Sequence, residues 1–139
     1  MIAFYPIKPL YIDRILLGEK KYELRRKLPR IKIKYVFLYA TTPVCKVVGY
    51  ARVGVTHNEC KEILWKRLAR WAGIDEVDYF TYFEGVENAC AIELIEVFRF
   101  NKPFHPSEIS DNFVVPQSFR YVDSDVFDRF KNRKTTLVS

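Results

Sequence analysis

The run at 44–55, VCKVVGYARVGV, constrains the fold more than any other stretch of this chain. Its β-branched and aromatic residues read as one long strand. Gly49 and Gly54 fall inside it, and glycines within a strand mark the bulges and bends that curl a small sheet. Further strands are read at 2–8, 21–26, 35–40, 89–100 and 119–122. Pro6 cannot donate to a ladder, which places it at a sheet edge. Helices are read at 10–17, ended by Gly18, and from Asn58 as N-cap to Gly73. Two more follow, at 76–84 behind Asp75 and from Asp123 or Ser124 to about 131. A proline-containing loop is expected at 101–115 and a frayed tail at 132–139. With 139 residues and 49% hydrophobic composition, one domain over 1–131 is expected. The order of elements favours an α+β fold: a small, mostly antiparallel β-barrel with helices inserted between strands and at the C-terminus.

No stretch approaches the roughly 20 apolar residues of a membrane span, and residues 1–8 lack a signal-peptide pattern. No membrane association and a cytoplasmic location are therefore expected. Cys45, Cys60 and Cys90 are odd in number and far apart, as for free thiols in a reducing compartment. His57 and Cys60 alone fall short of the four ligands of a structural zinc site, so neither metal nor cofactor is expected.

Charge is concentrated. Between Glu19 and Lys34 stand eight basic residues (Lys20, Lys21, Arg25, Arg26, Lys27, Arg30, Lys32, Lys34) against Glu19 and Glu23. This segment alone accounts for the chain's net charge of +6. Such asymmetry suits a polyanionic partner; a solvated face that keeps the chain soluble is the other reading.

Within the segment, residues 21–26 alternate. Glu23 and Arg25 share one face of an extended strand, roughly 7 Å apart. The arginine fork suits a phosphate or base edge, and the glutamate accepts from an exocyclic amine. Lys20 is expected at the mouth as a mobile positive charge. A lysine beside a glutamate also forms an acid–base pair where burial shifts their pKa values, making Lys20 and Glu23 the candidate catalytic residues of an enzyme reading. The same spacing equally suits a surface ladder of ion pairs, each worth under about 1 kcal/mol.

Ile7-Lys8-Pro9, Ile15 and Gly18-Glu19-Lys20-Lys21-Tyr22-Glu23-Leu24-Arg25 together resemble the G-x-K-x-x-E-x-R signature of ASCH domains, in the PUA-like superfamily. The apolar run 36–40 with Thr41-Thr42-Pro43, the strand start Val47-Val48-Gly49, Ala91-Ile92-Glu93-Leu94 with Pro103, and Pro116-Gln117-Ser118-Phe119 are similar to later family elements. The resemblance spans about residues 2–121. It implies a PUA-like barrel with a cleft beside the first helix and second strand, and an RNA or nucleotide-like ligand, single-stranded or carrying a modified base. Some small relatives are enzymes, of amidohydrolase or ribonuclease type. The amidohydrolase branch carries Thr where this chain has Glu23, so its nucleophile is missing. A second acid would come from Glu59, Glu62, Asp75, Glu76 or Asp78.

The candidate ligand-binding set is Lys8, Lys20, Glu23, Arg25, Arg26, Tyr39, Thr41 and Ser118. Tyr39 is offered as a stacking surface and Thr41 as a phosphate or base-edge partner, both at a strand end. Ser118 is placed to close over the site, without a triad companion in His57 or His105. The aromatic insert of Trp65, Trp71, Tyr79, Phe80, Tyr82 and Phe83 reads mainly as core. A protein-interaction adaptor using this insert is the third functional reading.

Overall fold

A computed structural model describes residues 1–138. The chain runs β1 (Ile2–Ile7), α1 (Pro9–Leu16), β2 (Tyr22–Arg25), β3 (Tyr35–Ala40), β4 (Lys46–Cys60), α2 (Lys61–Leu68), a 3₁₀ turn (Ala69–Trp71), α3 (Glu76–Tyr82), β5 (Asn88–Phe104), β6 (Arg120–Val122), α4 (Ser124–Phe130) and β7 (Thr135–Leu137). One seven-stranded sheet has the order β2-β5-β4-β3-β1-β6, with β7 paired to β5 beyond β2. All pairings are antiparallel except β1 with β3. The sheet is α+β in class, and backbone pairing does not close it into a barrel among the described residues.

The two glycines of the long strand explain its curl. A side chain at Gly49 would collide with the Phe98 carbonyl, and one at Gly54 with Glu93 and Ile95. Register shifts fall beside both positions, between Val47 and Gly49 and between Val53 and Thr56. The bent sheet has an inner face of Ala3, Tyr5, Ile7, Val36, Leu38, Ile92 and Leu94, capped by Ile12 and Ile15 of α1. The opposite face, with Phe4, Phe37, Tyr39 and Phe100, packs on Phe127 and Phe130 of α4. A third cluster joins Leu24 to Leu64, Leu68, Tyr79 and Phe83 of the inserted helices.

Several expected boundaries move. β4 continues to Cys60, so Asn58 pairs with Cys90 instead of capping a helix, and its Oδ1 accepts from Asn88. β5 continues to Phe104 because Val47 still offers it a partner there, shortening the expected loop. The tail expected to fray supplies β7, which pairs Thr135, Thr136 and Leu137 with Phe100, Arg99 and Phe98. β1 lies between β3 and β6, yet β6 reaches only as far as Phe4, so Pro6 stands where that side demands no donor.

Candidate nucleic-acid site

The alternation of β2 decides where its charges go. Leu24 turns to the inserted helices, while Glu23 and Arg25 turn to the inner face. Glu23 borders a narrow space with Tyr5, Ile7, Val36, Leu38, Ile92 and Leu94. Arg25 Nε lies 3.4 Å from Glu23 Oε1. Its Nη2 donates to the Pro6 carbonyl at 2.8 Å and its Nη1 to the Ser118 carbonyl at 3.3 Å. One guanidinium thus spans the seam between β2, the end of β1 and the segment before β6. It also lies 4.6 Å from the centroid of the Tyr5 ring, which Phe119 stacks at 5.4 Å.

This cluster is not internally satisfied. Tyr5 Oη, Glu23 Oε2 and Arg25 Nε are buried without a hydrogen-bond partner. Burial drives the Tyr5 phenol well above its ordinary pKa, against the Arg25 charge and with the help of Glu23. Buried polar atoms left unpaired each cost about 1–3 kcal/mol, and two of these three belong to Tyr5 and Glu23, which border the same narrow space.

Lys20 departs from the expectation of a mobile charge at the mouth. It is buried, and its Nζ donates to the Ala72 carbonyl at 2.6 Å. It belongs to a clamp on three successive carbonyls. Lys21 N binds Trp71 O at 2.8 Å, Lys20 Nζ binds Ala72 O, and Arg14 Nη1 binds Gly73 O at 2.8 Å. Gly73 has φ +63°, and a side chain there would strike the Lys20 stem. Gly18, at φ +79°, turns the chain out of α1 so that Lys20 can reach across. Burial lowers the Lys20 pKa to about 8, with Glu23 opposing the shift and Arg14 and Arg25 adding to it.

Beside the clamp, between the end of α1, the start of β2 and β5, opens a cleft of about 320 Å³. Its walls include Ile15, Gly18, Lys20, Lys21, Tyr22 and Glu93. A cleft lies where the sequence resemblance placed one, but Glu23 and Arg25 do not line it: they face the inner side across Leu94, which borders both spaces.

The remaining candidates scatter. Lys8 is exposed at the N-cap of α1. Arg26 is exposed and donates to the Tyr82 carbonyl. Tyr39 is buried on the opposite face of the sheet, 5.3 Å from Phe4, which contradicts its expected place as an open stacking surface. Its pKa is pushed up to about 12 by burial and by a hydrogen bond with Cys45. Thr41 is half-buried just past β3, and its amide donates to Ile7 O. Ser118 is exposed; its carbonyl holds Arg25 and its hydroxyl faces no protein partner among the described residues. The β1–β6 register, continued past Phe4 and Arg120, sets Ser118 beside Pro6, which is itself paired with Tyr39. Of the acidic candidates, Glu59 pairs with Arg67, and Glu62 accepts from Cys60. Asp75, Glu76 and Asp78 are exposed around the start of α3.

Beyond β2, Lys27, Arg30, Lys32 and Lys34 are exposed, and none has an ion-pair partner among the described residues. The loop is pinned by Ile31 N donating to Tyr121 Oη at 3.1 Å, which lays it against β6. Tyr5, Arg14 and Phe119 adjoin the candidate residues, and sequence reasoning missed them. Tyr5 reads as one more core residue of an apolar strand, and Arg14 as an ordinary basic helix end.

A curled α+β sheet with Glu23 and Arg25 at its seam and Lys20 in the clamp beside it is the arrangement of an ASCH-type domain. The chain belongs to the ASCH domain family: it is 34% identical over 127 residues to an ASCH domain-containing ribonuclease of Zymomonas mobilis, covering 86% of this chain and 83% of that one. The crystal structure of ASCH from Zymomonas mobilis superposes with a TM-score of 0.84 at 29% identity, over 97% of this chain and 96% of that one. The N-terminal domain of Staphylothermus marinus McrB, at TM-score 0.60 and 11% identity over 96% of this chain and 94% of that one, shares the fold alone. No family model matches the sequence. No helix among the described residues is long and apolar enough to cross a membrane.

Proposed function

We propose that this domain binds single-stranded RNA, with the exposed loop 26–34 holding the backbone and the Tyr5–Glu23–Arg25 cluster reading a base. The observation that carries the reading is the set of unpaired buried atoms. Glu23 Oε2 accepts, Arg25 Nε donates, and Tyr5 Oη does either. A base edge presents the complementary pattern, and its ring is the kind of group that Tyr5 already stacks in Phe119. We read the curled sheet as an incomplete barrel whose β2–β1 seam is the way in. The space as it stands is closed even to water, so entry of a base requires the seam to open, with Phe119 lifting off the Tyr5 ring. Four cations on the adjoining loop, without an ion-pair partner among the described residues, supply the sequence-independent attraction.

Cleavage of the bound RNA is the second reading, supported by the 34% identity to a protein named as a ribonuclease. Lys20, tied to Ala72 O, is poorly placed to act on a ligand at the seam. The hydroxyls of Ser118, whose carbonyl holds Arg25, and of Thr41, whose amide binds Ile7 O at the end of β1, are the better candidates.

Anisotropy of a labelled 12-nucleotide single-stranded RNA checks the binding reading. The expected result is micromolar or tighter binding at 50 mM salt that weakens steeply towards 200 mM. Absence of binding at 50 mM salt ends the proposal. The same mixtures run on a denaturing gel test cleavage: shortened products with wild type and fewer with Ser118→Ala support it, and intact RNA after prolonged incubation removes it.

A further inference from the structure

The clamp on residues 71–73 has a second consequence. Trp71 is half-buried at the end of the 3₁₀ turn, on the side of β2 where the strand begins. Its carbonyl and the two that follow are each held by a separate donor from the α1–β2 unit. The indole is therefore set on a backbone with little freedom to drift. Two cations bracket it: Lys21 Nζ lies 4.2 Å from the ring centroid and the Arg70 guanidinium 5.1 Å. Both are exposed, as is Lys66 one helical turn before Arg70. None of the three has an ion-pair partner among the described residues. Neighbouring Arg67, by contrast, is neutralised by Glu59. Lys21 also lines the 320 Å³ cleft, so platform and cleft adjoin.

Cations resting on an indole are held only by ring attraction, worth about 0.5–1 kcal/mol at exposed sites. They are free to swing to a phosphate, and doing so uncovers an aromatic face. A rigid aromatic ring with phosphate-binding groups beside it is what a nucleotide within a single strand requires. Arg26, at the other end of β2, lies five residues from Lys21, a span of roughly 16 Å along an extended strand. The platform and the basic loop are thus separate contacts for one strand.

We infer that Trp71, bracketed by Lys21 and Arg70, is a second nucleotide-stacking site that extends the RNA footprint beyond the loop 26–34. The inference rests on the RNA reading proposed above. An acidic protein segment would satisfy the same cations but would offer no base to the indole.

The test is anisotropy with 4- and 12-nucleotide single-stranded RNA, a free mononucleotide and a poly-glutamate peptide as competitors, and salt varied from 50 to 300 mM. Four proteins are compared: wild type, Trp71→Ala, Trp71→Phe and the double variant Lys21→Gln/Arg70→Gln. Trp71→Ala is expected to weaken 12-nucleotide binding by about tenfold, and Trp71→Phe to recover most of it. The double variant, which touches only exposed side chains, is expected to flatten the slope of log K against log salt by about 1.4. A smaller loss with the 4-mer supports a site remote from the loop. Wild-type affinity and slope in both Trp71→Ala and the double variant, with wild-type RNA binding intact, overturn this inference alone. Poly-glutamate competing as well as RNA of equal charge overturns the nucleotide assignment. Competition by the mononucleotide at strand-like affinity overturns the extended footprint and makes the platform a free-nucleotide site. No binding of RNA by wild type overturns this inference together with the proposed function.

Discussion

The basic segment divides into two regions with opposite fates. In residues 20–25 three of the four charges turn inward: Lys20 grips Ala72 O, and Arg25 ties Glu23, Pro6 and Ser118 together at the sheet's seam, while Lys21 stays outside on the Trp71 ring. Residues 26–34 leave theirs in solvent, with Lys27, Arg30, Lys32 and Lys34 unpaired among the described residues. The two stretches look alike in composition. Strand alternation and reach separate them, since β2 packs Leu24 on the inserted helices and turns Glu23 and Arg25 to the inner face, while the basic residues of the loop beyond it have no face to bury. A charge in the first stretch works through stability and through the specific polar cluster. A charge in the second works through long-range attraction that salt screens.

The largest effect is expected from removing Glu23. Glu23→Ala strips the Arg25 guanidinium of its acidic partner in a buried setting, and the loss in unfolding free energy is expected at about 3 kcal/mol by urea denaturation. A loss below about 0.5 kcal/mol would place the pair with ordinary surface ladders and erase the contrast.

Lys20 gives a sharper, pH-dependent signature. Its folded pKa is lowered to about 8 from the ordinary lysine value of 10.5. Between those values the unfolded chain holds a proton that the folded chain has released, so stability rises with pH across that window. Below pH 8 the full penalty of burying the charge is present. The raised Cys90 thiol and Tyr5 phenol act in the opposite sense above their ordinary pKa values of 9 and 10, which leaves pH 8 to 9 as the clean interval. A gain on the order of 1 kcal/mol over that interval is expected for wild type and not for Lys20→Met. A flat wild-type profile would mean that the ammonium is solvated.

What could be read in advance was what local chemistry dictates. Gly49 and Gly54 announced the bulges because a side chain has no room at either position. Gly18 marked the end of α1 because the turn needs a positive φ. The alternation around Glu23 and Arg25 put them on one face. The rest depends on partners distant in sequence. Lys20 finds its acceptor 52 residues away, and nothing near position 20 distinguishes a buried lysine from an exposed one. Tyr39 landed on the far face because β3 pairs in parallel with β1, a register that no property of residues 35–40 encodes. Residues 135–137 gain order from β5, not from their own propensity.

The outward half of the segment is expected to supply RNA affinity without supporting the fold. This is tested by the salt dependence of RNA binding by the quadruple variant Lys27→Gln/Arg30→Gln/Lys32→Gln/Lys34→Gln, measured beside its urea midpoint. The midpoint is expected to stay within about 0.5 kcal/mol of wild type. The slope of log K against log salt is expected to flatten by about 2.8, near 0.7 for each lost phosphate contact on a single strand. An unchanged slope with intact folding would contradict the account.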